Sequence, residues 1–530
     1  MKRKPMTEHA HHDPTTIVAQ GARAAVMAAF WLISTTAPAL ALEFHVAPSG
    51  DDGSDGSEAT PWQTLVHAAG AVGPGDTVWV HEGVYYEQLT LDASGTAAER
   101  IAFLAAPGEN PVIDGESTDL TPWSWFVAIE GDCIDFEGFE VRNSTAVCLG
   151  AGGDDVSVRR NDIHHCFNHG VVVTGTGDRI DGNSVYEAVQ KNAGGTSSSG
   201  WDVGMETRFA HDAEFTNNLV YHNYGEGIDS WLSYNTLIRG NVVYDNFSVN
   251  IYSDNAKDCR IESNFVYCTG DSGYEREGNA AAGILIATED RGEETIVSER
   301  ITVVNNIVVN CGYGFGFADW PGTTIPDNRM TDVLVSNNTF VNNLHAGISI
   351  GGTQHPGSSI VNNIIYQDNE APTFDGDTSD LTLGWNCWYG PSPGEAQASS
   401  DIVLDPRLET PGGTDPGDSR ILEDSPCRDT ASANSEVTVD FFGTPRPQPV
   451  GGNPDIGAHE FSLSVPPDDD GLEGDDVIPD PAEPGFPDEA GGEEGENETA
   501  AETVEPVDSA EAEAETQDEP SGGCSCRVVG

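Results

Sequence analysis

An asparagine that recurs at a spacing in the low twenties constrains the fold of this chain most strongly. The repeat is marked first by Gly115 and Gly138 and then by Asn161, Asn183, Asn218, Asn241, Asn264, Asn306, Asn338, Asn363 and Asn386. Successive intervals are 23, 23, 22, 35, 23, 23, 42, 32, 25 and 23 residues. Because the intervening segments alternate apolar and polar residues, the repeat predicts a solenoid of short strands. Stacked turns would share one core, with the amides hydrogen-bonded along a corner.

The composition divides the 530 residues into three parts. Residues 1–41 predict a secretion signal, because the apolar run Ala24–Ile33 ends in the small-x-small site Ala39-Leu40-Ala41. That run is only about half of the ~20 residues that a membrane span requires. Residues 42–461 carry the repeat. Residues 462–530 are acidic and rich in proline and glycine, so we expect them to be disordered.

The elements that flank the repeat suggest how its open ends are covered. Pro61–Val72 has the apolar spacing of a short helix and is expected to cover the N-terminal end of the stack. Residues 404–461, where the repeat decays, are expected to cap the other end. The long intervals indicate four insertions, at Glu187–Asp202, Asp271–Ala282, Glu289–Glu299 and Asp319–Asn328. Long loops on a rigid scaffold often carry function.

The charge of the chain excludes some partners. Its formal net charge is −65 at pH 7, so nucleic acid and anionic membranes are unfavourable partners. An acidic coat is compatible with solubility at high salt or with binding of hard cations. Eight cysteines lie in the repeat domain, and export would let some of them pair. Their spacing leaves the connectivity open.

Three successive strands carry the candidate site. Alternation places Met205, Ile228 and Ile251 on the inner face. Since adjacent strands lie about 4.8 Å apart, the opposite face would present two rows. The first row is Glu206, Asp229 and Tyr252, and the second is Arg208, Trp231 and Asp254.

Both rows suit binding of an acidic sugar. The predicted calcium ligands are Glu206, Asp229 and Asp254, with Glu226 on the neighbouring Gly-rich bend as a further one. Arg208 would hold a uronate carboxylate as a fork. Trp231, Tyr252 and, from an insertion, Trp201 are the predicted substrate contacts, since aromatic rings offer flat faces to a sugar.

A lyase also needs a base that removes the proton next to the carboxylate. Lysine serves when its surroundings favour the free amine. Only Lys191 and Lys257 lie in the repeat domain. Lys257, three residues after Asp254, is the first candidate, and Lys191 is the second.

Other interpretations of the same residues remain open. Two carboxyl groups about 5–5.5 Å apart suit a retaining glycosidase, which Glu206 and Asp229 would match, and a wider pair such as Glu206 and Asp254 would suit an inverting one. A non-catalytic carbohydrate-binding or cell-surface protein is a third interpretation. The two rows together, here called the column, could also be an ordinary solvated face, because acidic residues are abundant throughout the domain.

Several motifs resemble one protein superfamily. The segments His45–Gly50, Pro61–Leu65, Pro74–Thr77 and Pro454–Phe461, together with the asparagine repeat, resemble secreted right-handed parallel β-helix proteins of the pectate-lyase-like superfamily. This resemblance implies an all-β, right-handed parallel β-helix of about eleven turns. The superfamily includes calcium-dependent polysaccharide lyases, alginate-modifying epimerases, glycoside hydrolases and proteins with no known activity.

The favoured function is calcium-assisted β-elimination on an extracellular acidic polysaccharide. The paired aspartates with Gly-His-Gly and Arg-Ile-Lys that mark polygalacturonases are not found in the sequence. We expect a monomer that is secreted or displayed at the cell surface.

Overall fold

The computed structural model describes residues 41–195, 201–292, 295–318, 329–434 and 436–462. The predicted signal (1–41) and the predicted disordered tail (462–530) lie outside this part of the chain, except for Ala41 and Ser462. The predicted insertion at residues 319–328 also lies outside it. Among the described residues, no helix has the length and apolar character needed to cross a membrane.

Within these described ranges, the strands of the repeat form three parallel sheets of 13, 11 and 12 strands. The first sheet contains Glu43–Val46, Thr77–Val80, Ile101–Ala105, Ile134–Glu137, Ser157–Arg159, Arg179–Asp181, Glu214–Thr216, Leu237–Arg239, Arg260–Glu262, Thr302–Val304, Leu334–Ser336, Ser359–Val361 and Thr382–Gly384. The second contains Leu89–Leu91, Trp125–Ile129, Val147–Ala151, Val171–Val173, Val203–Arg208, Glu226–Trp231, Val249–Asp254, Ala282–Ala287, Tyr313–Ala318, Ala346–Ile350 and Phe374–Gly376. The third contains Gly83–Tyr85, Pro111–Asp114, Glu140–Arg142, Asp162–His164, Ser184–Tyr186, Leu219–Tyr221, Val242–Tyr244, Phe265–Tyr267, Ile307–Val309, Thr339–Val341, Ile364–Tyr366 and Cys387–Tyr389.

Within each sheet, a strand pairs with its counterpart one turn along the chain, which confirms the predicted parallel β-helix. The interior is built from apolar side chains in register. Met205 pairs with Ile228, and Ile228 pairs with Ile251. All three side chains are fully buried, so the predicted superposition is confirmed and each turn covers the apolar face of the next.

The asparagine ladder is present at the bend between the first and third sheets. Each of the nine repeat asparagines is buried. Their amides bond in series; for example, Asn218 Nδ2 donates to Asn241 Oδ1 at 3.0 Å, and Asn241 Nδ2 donates to Asn264 Oδ1 at 2.9 Å. Gly115 and Gly138 do not occupy the ladder position, so their assignment as the first two repeat positions was wrong. The ladder position before Asn161 is Phe139, whose N–H donates to Asn161 Oδ1.

A ladder asparagine should stabilise the coil strongly. Asn241→Ala removes the acceptor of the Asn218 N–H and amide, and it removes the donor to Phe215 O and Asn264 Oδ1. Since each stranded buried group costs about 1–3 kcal/mol, we expect the free energy of unfolding to fall by about 3–5 kcal/mol. Chemical denaturation measures this. The exposed Asn453→Ala variant is the control, and equal losses in the two variants would refute the ladder's role.

The N-terminal helix is shorter than predicted. It spans Leu65–Ala71, with Thr64 as its N-cap, rather than Pro61–Val72. Trp62 lies in an extended segment that bridges Val46, because its indole stacks on Phe44 with 4.5 Å between ring centroids. The helix buries Leu65, Ala68 and Ala69 in the core beside the first strands, as expected of an end cap.

The segment after the last turn does more than cap the open end. Residues 391–402 close the stack, where Trp388 N donates to Ile402 O at 2.8 Å and Trp388 Nε1 donates to Asp401 Oδ2 at 2.8 Å. Residues 403–434 and 436–461, here called the return segment, then run back along the coil. Asn310 Nδ2 donates to Gly412 O at 2.9 Å, and Asn305 Nδ2 donates to Val439 O at 2.7 Å. The prediction that residues 404–461 cap the end was therefore wrong, since their apolar residues pack on the outer face of the third sheet.

Candidate functional site

The predicted rows form on the second sheet. Glu206 pairs with Asp229, which pairs with Tyr252. Arg208 pairs with Trp231, which pairs with Asp254 in the next row. Because the strands are parallel and in register, residues 23 positions apart become neighbours on one face.

The column is not a solvated face. Glu206, Asp229 and Tyr252 are each only 3% exposed, and Asp254 is 2% exposed. They line a cavity of about 400 Å³. Its remaining walls come largely from the loops: Trp123, Lys191, Trp201, Asp202, Arg276, Glu289 and Arg291.

Ion pairs connect the column to the cavity walls. The Arg208 guanidinium donates hydrogen bonds to the Glu206 carboxylate, with nitrogen–oxygen distances of 3.0–3.2 Å. Arg291 Nη2 lies 2.7 Å from both Asp254 Oδ2 and Glu289 Oε2. Lys191 Nζ lies 2.5 Å from Asp202 Oδ2.

Cations already occupy faces of the tryptophans. The Arg208 guanidinium lies 4.6 Å from the Trp231 ring centroid and 5.3 Å from that of Trp123. Arg276 lies 4.3 Å from the centroid of Trp201. The indoles therefore position guanidinium groups by cation–π contact. This differs from the predicted role of Trp231 and Trp201 as open faces for a sugar ring.

Two carboxyl groups at the floor of the cavity have no cation partner among the described residues. They are Glu226 and Asp229. Burial raises the pKa of both groups well above the usual range; the charge of Asp254 adds to the effect on Glu226, and that of Glu226 to the effect on Asp229. Burial also raises the pKa of Asp254 to about 8, despite its pairing with Arg291. Protonation of a carboxyl group, or binding of a cation beside it, removes the free-energy cost of burying these negative charges.

The carboxyl oxygens of the floor fit a hard cation in their chemistry. Asp229 Oδ1 and Asp254 Oδ1 are buried without a hydrogen-bond partner. Calcium takes six to eight oxygen ligands, including water and substrate oxygens. Within the described ranges, no group of three or more His, Cys, Asp or Glu side chains is arranged so that it could hold a metal ion by itself. The floor therefore offers oxygen donors to an ion without forming a finished cage.

Tyr252 and His169 complete the buried polar network. The Tyr252 hydroxyl donates to Glu289 Oε1 at 2.9 Å. His169 is fully buried, and its ring nitrogens lie 3.5 Å from Asp202 Oδ1 and 3.5 Å from Glu206 Oε2. Burial lowers the His169 pKa, so a neutral ring accepts the Val203 N–H at its Nδ1. The imidazole therefore lies between the carboxylates of Asp202 and Glu206.

The two predicted bases lie in different places. Lys191, in the 3-10 turn Gln190–Asn192, lines the cavity. Lys257 does not line it and pairs with Glu299 at 2.9 Å. The strand ends at Asp254, and Asn255 turns the chain with a φ of 54°. Lys257 therefore bridges to Tyr234 and Glu299 along the next side of the coil.

Sequence reasoning missed several wall residues. Glu289 and Arg291 lie at the start of a recognised insertion, and Asp202 ends another, so loop position was the available signal. Trp123 lies in the long connection of residues 115–124, whose extra length was hidden because Gly115 and Gly138 were taken as repeat positions. His169, which contacts the wall residue Asp202, carried no such signal, because it lies in an ordinary turn of the repeat. Their roles depend on distances between turns that spacing does not specify.

Comparison with known proteins places the cavity in a recognised family. The family model described as "Pel9A-like, right handed beta helix region" matches residues 44–311. Pectate lyase L of Dickeya dadantii is 22% identical over 295 residues, which make up 52% of this chain and 66% of that protein. Pectate lyase PEL9 of Emericella nidulans is 32% identical over 95 residues, 17% of this chain and 23% of that protein. The matched stretches thus span just under two thirds of pectate lyase L and about a quarter of PEL9.

One solved structure supports the architecture independently. The complex structure of XylC with xylose has a TM-score of 0.52 at 13% identity, covering 79% of this chain and 98% of that one. This likeness shows the fold alone. The family match covers about half of the chain and includes every residue of the cavity. The chain therefore belongs to the Pel9A-like family of right-handed parallel β-helix proteins.

Proposed function

We propose that this protein is a secreted, monomeric lyase that cleaves an acidic polysaccharide by calcium-assisted β-elimination. One observation carries the proposal. The cationless carboxyl groups of Glu226 and Asp229 share a cavity with the guanidinium of Arg208 and the amine of Lys191. Membership of a family whose relatives include pectate lyases supports the same activity.

Arg208 is the proposed clamp for the sugar carboxylate. Its planar fork is held between Trp123 and Trp231, which limits the orientations that the guanidinium adopts. A fork of this kind binds a carboxylate through two parallel hydrogen bonds. The proposed calcium ligands are Asp229, Glu226, Glu206 and Asp254. A bound calcium ion would add positive charge beside the sugar carboxylate and so make the adjacent C–H more acidic.

Lys191 is the proposed base. It is the only lysine among the described residues that line the cavity. In the proposed step, the ammonium of Lys191 first passes a proton to Asp202, whose Oδ2 lies 2.5 Å away. The free amine then takes the proton from the carbon next to the carboxylate, and the electron pair of that C–H bond forms the new carbon–carbon double bond. The glycosidic C–O bond at the neighbouring carbon then breaks. The departing oxygen takes a proton from solvent, so the atoms balance without a redox partner.

A pair of assays tests the reaction type. Incubating the protein and calcium with pectate, alginate and glycosaminoglycans should raise ultraviolet absorbance for one of them, because elimination creates an unsaturated sugar. Reducing ends without new absorbance would indicate a hydrolase. Binding without either signal would indicate a scaffold, and both outcomes would overturn the proposal.

Arg208→Lys tests the clamp. Lysine keeps the charge but loses the planar fork, and charge-assisted hydrogen bonds contribute about 1.5–3 kcal/mol each. We expect kcat/KM to fall by about 10- to 100-fold, mainly through KM. Initial rates over a range of substrate concentrations measure this. The control is Arg239→Lys on the exposed face of the first sheet; an unchanged KM in Arg208→Lys would exclude Arg208 as the clamp.

A further inference from the structure

Two buried cysteines meet where the return segment contacts the end of the coil. The described part of the chain contains two disulfides, Cys148–Cys166 and Cys268–Cys311. Cys387 and Cys427 are not bonded, although both are fully buried in the same apolar cluster. The Cys387 thiol donates to Leu404 O at 3.7 Å, and the neighbouring Cys427 thiol is near enough to raise the pKa of Cys387.

The backbone on each side of this contact is fixed. Cys387 opens the last strand of the third sheet, pairs with Ile364 and donates its N–H to Asn363 O at 2.8 Å. Cys427 donates its N–H to Ser425 Oγ at 3.1 Å and accepts the Ile456 N–H at 3.0 Å. The backbone position of each cysteine is therefore set by the hydrogen bonds of the fold.

The other unpaired cysteines of the described residues have different surroundings. Cys133 is partly exposed, and its thiol faces Asp155 Oδ2 at 3.7 Å. Cys259 is buried under the second sheet beside the hydroxyls of Ser230 and Ser253. Neither thiol is in contact with another cysteine, which leaves Cys387 and Cys427 as the matched pair.

We propose that Cys387 and Cys427 form a third disulfide, which fastens the return segment to the last turn of the coil. The oxidant is a disulfide, either of glutathione or of a thiol oxidase, as present in compartments outside the cytoplasm. One thiolate attacks that disulfide and forms a mixed disulfide, which the second thiolate then displaces. One S–S bond forms in the protein and one is lost from the oxidant. The two electrons and two protons leave on its two thiols.

The order of folding and oxidation follows from burial. The thiolate is the reactive form of cysteine, and the neighbouring Cys427 side chain, together with burial, raises the pKa of the Cys387 thiol well above its usual range. The bond should therefore form while the return segment is still docking. Once formed, it should resist reductants until the protein is denatured.

Peptide mapping tests the proposal directly. The full chain is folded in a glutathione redox buffer, alkylated in denaturant and digested with trypsin. Arginines at 329, 407, 420 and 428 place the two cysteines in separate peptides, 330–407 and 421–428, each with one cysteine. We expect these peptides to run as one cross-linked species, lighter than their sum by about 2 Da for the two lost hydrogens, and to separate after reduction.

Variants provide the controls. Cys387→Ser should leave Cys427 alkylated, and Cys427→Ser should leave Cys387 alkylated. Cys259→Ser should leave the cross-link intact. The proposal is overturned if both cysteines are alkylated in the wild-type protein while the other two disulfides are formed. It is also overturned if either cysteine is found bonded to a different one.

Discussion

Replacing Lys191 by alanine is expected to lower kcat for β-elimination by about 10²- to 10⁴-fold, the usual contribution of a general base. Lys191 is the only amine among the described residues of the cavity wall. Its loss removes the proton acceptor but leaves Arg208 and the carboxylate floor in place. Initial rates of unsaturated product formation at saturating substrate measure the change.

Two variants separate the chemistry of Lys191 from its structural role. Lys191→Arg keeps a cation beside Asp202, whose carboxylate is buried, so this variant should fold normally. Arginine stays protonated, and activity should remain low. Lys257→Ala is the matched control, because Lys257 pairs with Glu299 away from the cavity. If Lys257→Ala loses activity while Lys191→Ala retains it, the assignment of the base is wrong.

Asp229→Asn is expected to stabilise the metal-free protein while abolishing its response to calcium. The carboxyl group of Asp229 is buried without a cation partner. A buried polar group without a partner costs about 1–3 kcal/mol, and more when it is charged, so a neutral amide should lower that cost. At pH 8, the chelated variant should melt at a higher temperature than the chelated wild-type protein. Calcium should raise the melting temperature of the wild-type protein only.

The pH dependence gives this prediction a sign. The pKa values of Glu226, Asp229 and Asp254 are raised in the folded protein, to about 8 for Asp254. In the unfolded chain these groups ionise near pH 4. Below pH 4 both states are protonated and burial has no charge cost. As pH rises from about 4 to about 8, the unfolded state releases protons first, so the metal-free protein loses stability.

Thermal melts with chelator at pH 5 and pH 8, and with calcium at pH 8, measure the effect. The control is Glu214→Gln, which removes a partly exposed carboxylate on the first sheet. Equal calcium shifts in the wild-type protein and Asp229→Asn would show that Asp229 is not a ligand. Greater stability of the chelated wild-type protein at pH 8 than at pH 5 would show that folding does not raise the pKa values of the carboxyl groups of the floor.

The sequence predicted the fold well because one corner of the coil is locally encoded. At this corner, each side chain must accept a hydrogen bond from one neighbouring turn and donate one to the next, and asparagine does both. Asn241, for example, accepts from Asn218 and donates to Asn264. The spacing of the ladder asparagines therefore sets the register of the strands. The alternation of Met205 with Glu206 then determines which side chains face inward and which face the cavity.

The environment of the site was not predictable in the same way. Alternation places Asp229 outside the core, but its burial depends on Trp123 and on loop residues such as Arg291, which come from other turns. The misplacement of Lys257 has a local cause. A left-handed residue, Asn255, ends the strand and moves the following residues to another side of the coil. Turns of this kind are favoured by asparagine but are not specified by it.

We propose that the cavity on three stacked strands cleaves a uronate chain by β-elimination rather than by hydrolysis. Mass spectrometry of the oligosaccharides released from a polyuronate in the presence of calcium tests it most directly. We expect products with an unsaturated non-reducing end, each lighter by one water molecule than the hydrolysis product of equal length, and no such products when calcium is chelated. Saturated products, or unsaturated products formed equally well under chelation, would contradict it.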